Sequence, residues 1–175
     1  MERTNQCTGI RIRLASPDEI NRIAEIEAIC FPAAEAASLE EFEKRMQAFP
    51  ENFLVAETNE GELVGFVNGC ATDKPVLPDE LYHDASLHQR DGRIQTVFGL
   101  DVLPDYQHKG IAHKLLGALV ELSRERGKDA VILTCKERLI GFYESCGFVK
   151  HGLSESCHGG AVWYDMQQWI TEEKG

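Results

Sequence analysis

Ile10, Ile12 and Leu14 alternate with polar residues in the stretch IRIRLAS, the period-two pattern of a half-buried strand. The period then changes. Ile20, Ile23, Ile26 and Ile29 recur at helical spacing, and Ser16, Pro17 and Glu19 supply a cap, a first-turn proline and a capping-box acid. Pro32 stops this helix. Ser38 opens a second one over LEEFEKRMQAF, with two glutamates in its first turn. The run NFLVAETNEGELVGFVNGC reads as strand, tight turn at NEG, strand. Residues 71–91 carry two prolines and many polar side chains, and predict a long irregular connection of the kind that is functional or mobile. RIQTVFGLDV, apolar on both faces near its end, predicts one long central strand. Ile111, Leu115, Leu119 and Leu122 then draw one apolar stripe on a helix over 110–126. AVILTC predicts a buried strand, ERLIGFYESCG a helix ending at Gly147, and AVWYDMQQW a last strand. The order β-α-α-β-β-β-α-β-α-β-β mixes antiparallel hairpins with a βαβ core, a mixed α/β (α+β) class.

Composition narrows the functional classes. A chain of 175 residues with 43% apolar and 27% charged side chains predicts a single domain, 1–175, able to bury a core without disulfides or metals. The formal net charge of −11 argues against nucleic acid or an anionic membrane as partner and favours approach of a cationic small molecule. Six cysteines, Cys7, Cys30, Cys70, Cys135, Cys146 and Cys157, form no C-x-x-C pair, so zinc spacing is absent and reduced thiols are expected. The first twenty residues lack the apolar stretch of a signal peptide, and no run reaches membrane-spanning length. A cytoplasmic protein, monomer or homodimer, is the expectation.

One segment carries recognisable chemistry. DYQHKGIAHKLL places a glycine and two lysines where a helix begins, straight after the apolar VFGLDV. The first turn of a helix holds amides without intrahelical partners, and the macrodipole adds about half a positive charge. Gly110 removes the side chain that would keep a phosphate from those amides, and Ala112 keeps the next position small. His108, Lys109, His113 and Lys114 add positive charge. The P-loop pattern and the G-x-G-x-x-G dinucleotide pattern are both missing. Read on its own, Gly110 also fits a glycine that merely eases the strand-to-helix turn.

QHKGIA, Gln107 to Ala112, matches the [QR]-x-x-G-x-[GA] pyrophosphate loop of the GCN5-related N-acetyltransferases, the GNAT family. LIGFYESCGF, Leu139 to Phe148, is similar to that family's FYxxxGF element. Within the family the chain resembles the arylalkylamine N-acetyltransferases, as a bacterial-type relative, through CFP after the first helix, LVGFVNGC, LTCKERLIGFYESCGF and the closing GGAVWYDM. The resemblance covers about Ile10 to Trp169. It implies the GNAT fold: a mostly antiparallel central sheet of about seven strands, a splayed parallel pair at its centre and about four flanking helices. It also implies acetyl-CoA as co-substrate, with no metal. Backbone groups of Leu100, Asp101 and Val102 would take the pantetheine arm as an added strand. Gln107, His108, Lys109, Gly110, Ile111, Ala112 and His113 would hold the pyrophosphate. Gly99 suits a bulge that splays the strand, or a simple packing glycine.

Acetyl transfer to an amine needs a neutral amine, a stabilised oxyanion and a protonated thiolate. Deprotonating an alkylammonium near pH 7 costs about 4 kcal/mol. The oxyanion falls to the backbone N–H of Leu100. Tyr143 aligns with the tyrosine that the family uses as general acid toward the coenzyme A thiolate, with Phe142 left to fill the core; the alternative is a packing role for Tyr143 itself. The base departs from the pattern. Two strand histidines of the animal arylalkylamine enzymes fall, by counting back from Gly110, on Thr96 and Phe98, neither a proton acceptor. Glu27 acting through water, His158 and a bare water chain are the candidates; Asp101 points to the opposite face from Leu100, which counts against it. Cys135 at a strand end reads as packing rather than as a ping-pong nucleophile. In the resembled family the loop Cys30 to Ser38 caps the amine pocket, which implies Phe31 and Pro32 as an apolar wall and Glu35 as a charge for the acceptor; the alternative is an ordinary inter-helix loop with Phe31 in the core. Trp163 and Tyr164 alternate on the last strand, so one of them faces the acceptor. The reading is acetyl transfer from acetyl-CoA to the primary amine of a small, arylalkyl-type amine. The alternatives are an amino acid, polyamine, antibiotic or protein N-terminus as acceptor, and a non-catalytic coenzyme A sensor.

Overall fold

The computed structural model describes residues 9–170. In chain order it runs β1 (Arg11–Leu14), α1 (Ile20–Cys30), α2 (Leu39–Ala48), β2 (Phe53–Glu57), β3 (Leu63–Asn68), β4 (Ala71–Thr72) and α3 (Asp79–His83). It continues through β5 (Ile94–Val97), β6 (Gly99–Val102), α4 (Ile111–Glu125), β7 (Ala130–Cys135), α5 (Ile140–Ser145), β8 (Val149–Leu153) and β9 (Tyr164–Trp169). The expected mixed α/β class holds. The described chain divides into two compact units, one of residues up to Asn68 with Gly99–Leu119, the other of Gly69–Phe98 with Val120 onward.

The first unit is built on an antiparallel sheet ordered β1-β2-β3-β6. Helix α1 packs on β3 and β6, so one face of it must be apolar. Ile23 and Ile26 are fully buried, whereas Ile29 is 55% exposed and Leu14 on β1 is 49% exposed. The buried stripe is therefore narrower than the isoleucine spacing predicts. Ser38 caps α2 as expected: its hydroxyl accepts from the Glu41 N–H at 3.1 Å, and the Glu41 carboxylate accepts from the Ser38 N–H at 3.0 Å. Phe42 on α2 sits edge-on to Phe53 and Phe66, at 6.4 and 5.7 Å between ring centres. Each such buried side chain contributes about 1.5–3 kcal/mol of burial free energy.

The second unit holds a five-stranded sheet, β4-β5-β7-β9-β8. Strand β7 is its centre, parallel to β5 and antiparallel to β9, which explains a near-continuous apolar run in AVILTC. Lys128 is almost buried, and its ammonium donates to the carbonyls of Gly92 at 2.5 Å and Arg90 at 3.1 Å.

Three expectations are corrected. The predicted long strand is two: β5 ends at Val97 and pairs with β4 and β7, while β6 starts at Gly99 and pairs with β3. The change of partner at Phe98, not a change of hydrophobicity, makes the break. The stretch 71–91 is not wholly irregular, since it holds β4, α3 and a 3-10 turn at Ala85–Leu87. The last strand starts at Tyr164, three residues later than its sequence suggests. Among the described residues the count is therefore nine short strands and five helices. The described cysteines are free thiols; Cys7 lies outside the described residues. No described helix is long and apolar enough to cross a membrane.

Candidate functional site

On β6 the main chain is sorted by the antiparallel register. Leu103 donates its N–H to the Val64 carbonyl at 2.9 Å, and Asp101 and Gly99 stand opposite Phe66 and Asn68. Hydrogen-bonded pairs recur every second residue, so the amides of Gly99 and Asp101 face β3 while those of Leu100 and Val102 turn away from it. Strand β6 is also the end strand of its sheet order. The Val102 carbonyl accepts from the Gln107 side-chain amide at 2.9 Å and from the Cys30 thiol at 3.4 Å. Gln107 thus staples the following loop back onto β6 rather than reaching outward.

That loop contains the only described residue other than glycine with positive φ, His108 at 64°. A left-handed histidine costs roughly 1–2 kcal/mol, and such strain collects at functional positions. Gly110 follows at φ 88°, and its carbonyl accepts from the Lys114 N–H at 3.1 Å to start α4. Residues 107–110 are exposed, while the Ile111 side chain is buried and roots the helix. The first-turn amides of Ile111 and Ala112 have no acceptor within the helix. The loop therefore presents backbone donors and the positive end of a 15-residue helix. Lys114 reaches instead to the Ile10 carbonyl at 3.2 Å.

Beside Leu100 the same unit buries two acids. Glu27 is 7% and Asp101 1% exposed. One Glu27 oxygen, Oε2, accepts from the Ala37 N–H at 2.9 Å, which ties the carboxylate to the loop carrying half-buried Phe31 and Glu35 and exposed Pro32. Burial first, then the Glu27 carboxylate, holds the Asp101 carboxyl well above its ordinary value, with Arg45 acting against both. Burial, Asp101 and Glu27 together push the Cys30 thiol up to about 12. Arg45, 4% exposed, donates to Asn68 Oδ1 at 3.0 Å. Asp101, whose place on the opposite face from Leu100 counts against it as a base, has its side chain against the candidate base Glu27.

In the second unit Tyr143 is 8% exposed and lies edge-on to Phe142 and Phe148, at 5.0 and 6.0 Å. Phe142 is only half-buried. Helix α5 therefore turns the Tyr143 ring inward and leaves Phe142 half-buried, so the packing position expected of Phe142 is filled by Tyr143. Thr96, which stands where a strand histidine was sought, is fully buried. Its hydroxyl accepts from the Cys70 N–H and donates to the Cys70 carbonyl, both at 3.0 Å, so the position is structural. Cys135 is 2% exposed and pushed up to about 11 by burial, as befits a packing thiol.

His158 stacks on Tyr82 at 5.4 Å and 10°, and Tyr82 lies 4.9 Å from Phe98. Trp163 precedes β9 rather than alternating on it with Tyr164; its indole N–H donates to the His158 carbonyl at 2.9 Å. Lys136 lies over the Trp163 ring and Lys150 over the Tyr164 ring. Asp79 fastens this loop to α3 by accepting from Ser156 Oγ at 2.5 Å and the Cys157 N–H at 3.2 Å. Burial opposes but these hydrogen bonds prevail, keeping the Asp79 carboxyl below its ordinary value. Tyr82 and Asp79 were invisible in sequence because they fall within the stretch read as irregular. Only Pro78 ahead of two acids signals the short helix.

The model of the acetyltransferase (GNAT) family matches residues 20–148, across both units. The chain belongs to the acetyltransferase (GNAT) family. Mycothiol acetyltransferase of Propionibacterium freudenreichii is 29% identical over 150 residues, which is 80% of this chain and 43% of that protein. Serotonin N-acetyltransferase of Mesocricetus auratus is 26% identical over 170 residues, 95% of this chain and 80% of that protein. Among solved structures, the GphF GNAT-like decarboxylase in complex with isobutyryl-CoA superposes with a TM-score of 0.78 at 22% identity, over 91% of this chain and 98% of that one. This last likeness concerns the fold. The chain spans less than half the length of the first curated relative it matches.

Proposed function

We propose that the chain is an N-acetyltransferase that moves acetyl from acetyl-CoA to the primary amine of a small, arylalkyl-type amine by direct transfer. The observation that carries the reading is the succession of outward-turned Leu100 and Val102 amides, the left-handed His108–Gly110 loop and the start of α4. An extended thioester arm pairs with the first and a diphosphate with the last. The arylalkylamine preference is supported by a relative that spans most of both chains, named a serotonin N-acetyltransferase. Because the family match runs through both units, we take 1–175 as one catalytic domain, working in the cytoplasm where acetyl-CoA and free thiols are available.

In this scheme the amine lone pair attacks the thioester carbonyl and the C–S bond breaks after a tetrahedral oxyanion forms. The Leu100 N–H stabilises that oxyanion. Tyr143 gives its phenolic proton to the departing thiolate and regains one from solvent. Val102 contributes its N–H, since its carbonyl is already held by Gln107 and Cys30. His108, Lys109, Gly110, Ile111, Ala112 and His113 supply the pyrophosphate seat, and Phe31, Pro32 and Glu35 border the acceptor. Glu27 is the preferred base over His158, because it is the candidate that shares a unit with Leu100.

The test is calorimetry with acetyl-CoA followed by thiol release with a panel of amines. Binding and turnover with arylalkylamines are expected; failure of the folded protein to bind acetyl-CoA overturns the reading. Tyr143→Phe should keep binding and lose turnover on the order of 10²-fold. Unchanged turnover would remove Tyr143 as the acid.

A further inference from the structure

Glu27 grips both ends of the loop that follows α1. Its backbone carbonyl accepts from the Phe31 N–H at 3.0 Å, and its carboxylate Oε2 accepts from the Ala37 N–H at 2.9 Å. Between these points the Pro32 carbonyl accepts from the Glu35 and Ala36 N–H groups at 2.9 and 3.0 Å, which folds the loop into a turn of its own. Ala37 directly precedes Ser38, the cap of α2. One side chain of α1 therefore sets how the loop closes and where the next helix begins. A glutamate turns about several single bonds, so a contact at Oε2 alone does not keep it in one rotamer. Oε1 must be held as well.

Asp101 on β6 stands where it can hold that atom. Asp101 Oδ1 and Glu27 Oε1 lie on the same side of Gly99, 3.1 and 3.6 Å from the position a Cβ would take there. Counted as two carboxylates, Glu27 Oε1 and both Asp101 oxygens are buried acceptors with no donor, an arrangement in which each charge opposes the other. One proton resolves it, because a carboxyl donates where a carboxylate only accepts. The proton falls to Asp101. Glu27 already receives the Ala37 N–H, a bond that a charged oxygen accepts best, whereas burial and then Glu27 hold the Asp101 carboxyl well above its ordinary value. The other groups facing the pair are Cys30 from α1, Arg45 from α2 and Asn68 from β3. Arg45 donates to Asn68 Oδ1 at 3.0 Å and so turns the Asn68 NH₂ toward the pair. Cys30 already donates its thiol to the Val102 carbonyl. Glu27 is the acceptor that remains.

We propose that Asp101 is a positioning residue for the acceptor amine: its carboxyl donates a hydrogen bond to Glu27 Oε1, and that bond keeps Glu27 in the rotamer that closes the loop 31–37 through Ala37. Phe31, Pro32 and Glu35 ride on this loop. A strand residue whose side chain faces away from Leu100 thereby sets where the acceptor's contacts stand. The inference rests on the acetyltransferase reading for the identity of the loop's ligand. The hydrogen bond itself stands apart from that reading, and from any proton passing to Glu27 during turnover.

Carboxyl-carbon NMR of the whole protein tests the pair without any substrate. At about pH 6, well above the ordinary range of either acid, the Asp101 carboxyl carbon should resonate as a protonated acid and that of Glu27 as a carboxylate. Finding Asp101 ionised overturns the proposal. Amide exchange then follows the loop. Asp101→Leu keeps a side chain of similar size that cannot donate, and Asp101→Asn keeps a donor. Protection of the Ala37 amide should fall about tenfold or more in the Leu variant and stay within about twofold of wild type in the Asn variant, with the amides of β2 and β3 reporting global stability. Equal Ala37 protection in all three proteins overturns the proposal; should the Leu variant fail to fold, the carbon spectrum of the wild type decides. In turnover assays with an arylalkylamine, Asp101→Leu should raise the amine KM about tenfold with the KM for acetyl-CoA within about twofold, and Asp101→Asn should restore it. An equal rise in both KM values makes Asp101 a general packing residue and removes the positioning role. A protein with the expected spectrum and exchange that turns over no amine keeps the hydrogen bond and sinks the transferase reading instead.

Discussion

Two kinds of buried or bridged carboxylate respond to pH with opposite sign. Glu19 and Glu57 both accept from Arg13, Glu19 through two oxygens at 3.1 and 2.7 Å. The Arg13 hydrogen bonds hold both carboxyls below the ordinary value of 4.5. The unfolded chain then binds more protons than the folded one just below that value, so the stability contributed by the clamp is present above about pH 4.5 and is lost as pH falls through the folded values. Arg13→Met should therefore lower the urea midpoint near neutral pH and converge with wild type as pH drops through the lowered folded values. A difference that grows on acidification would show the clamp assignment to be wrong. Asp101 behaves in reverse: its raised folded value means that its contribution is fully present below 3.8 and lost as pH rises through the folded value. Neither behaviour was legible in the sequence. Arg13 and Glu57, like Glu27 and Asp101, are brought together by strand register and helix packing, and nothing within a ten-residue window around either partner points to the other.

Elements defined by local pattern were legible; those defined by partner choice were not. The stripe Ile111, Leu115, Leu119 marks α4 because one helix face must be apolar, and all three are buried. The capping box at Ser38 is likewise a local device. The break between β5 and β6 left no trace, since both halves of the run are apolar enough to read as one buried strand. The short helix α3 was hidden by prolines and polar residues, and the burial of Tyr143 depended on how α5 is rotated. The loop ahead of α4 was legible because glycine, lysine and the helix start are contiguous. Its geometry sharpens one expectation. Gly110 at φ 88° suits a residue without Cβ, so Gly110→Val should cost roughly 1–2 kcal/mol of stability and weaken acetyl-CoA binding about tenfold or more by disturbing the first-turn amides. Calorimetry and thermal melting check this together. Unaltered affinity at a reduced melting temperature would leave Gly110 as a turn residue and nothing more.

At the scale of the whole chain, the net charge of −11 bears on the two proposed reactants, which are of opposite sign. A cationic amine is attracted by the summed field, whereas acetyl-CoA, itself an anion, is repelled until it comes near His108 and Lys109. Salt distinguishes the two ranges. At an ionic strength of 0.01 M the screening length is about 30 Å and the whole charge is felt; at 0.15 M it is about 8 Å and only neighbouring groups count. Raising salt across that range should lower kcat/KM for a cationic arylalkylamine several-fold through a higher KM, with kcat unchanged, because screening alters encounter and not the chemical step. The on-rate of acetyl-CoA should rise over the first part of the same range, as the long-range repulsion is screened before the attraction of the loop is. Measuring both in one salt series separates a global field from a local one. If amine and thioester respond alike, the acidic surface is a solvated coat that plays no part in selecting the acceptor, and the preference must come entirely from the short-range contacts of Glu27, Glu35 and Phe31.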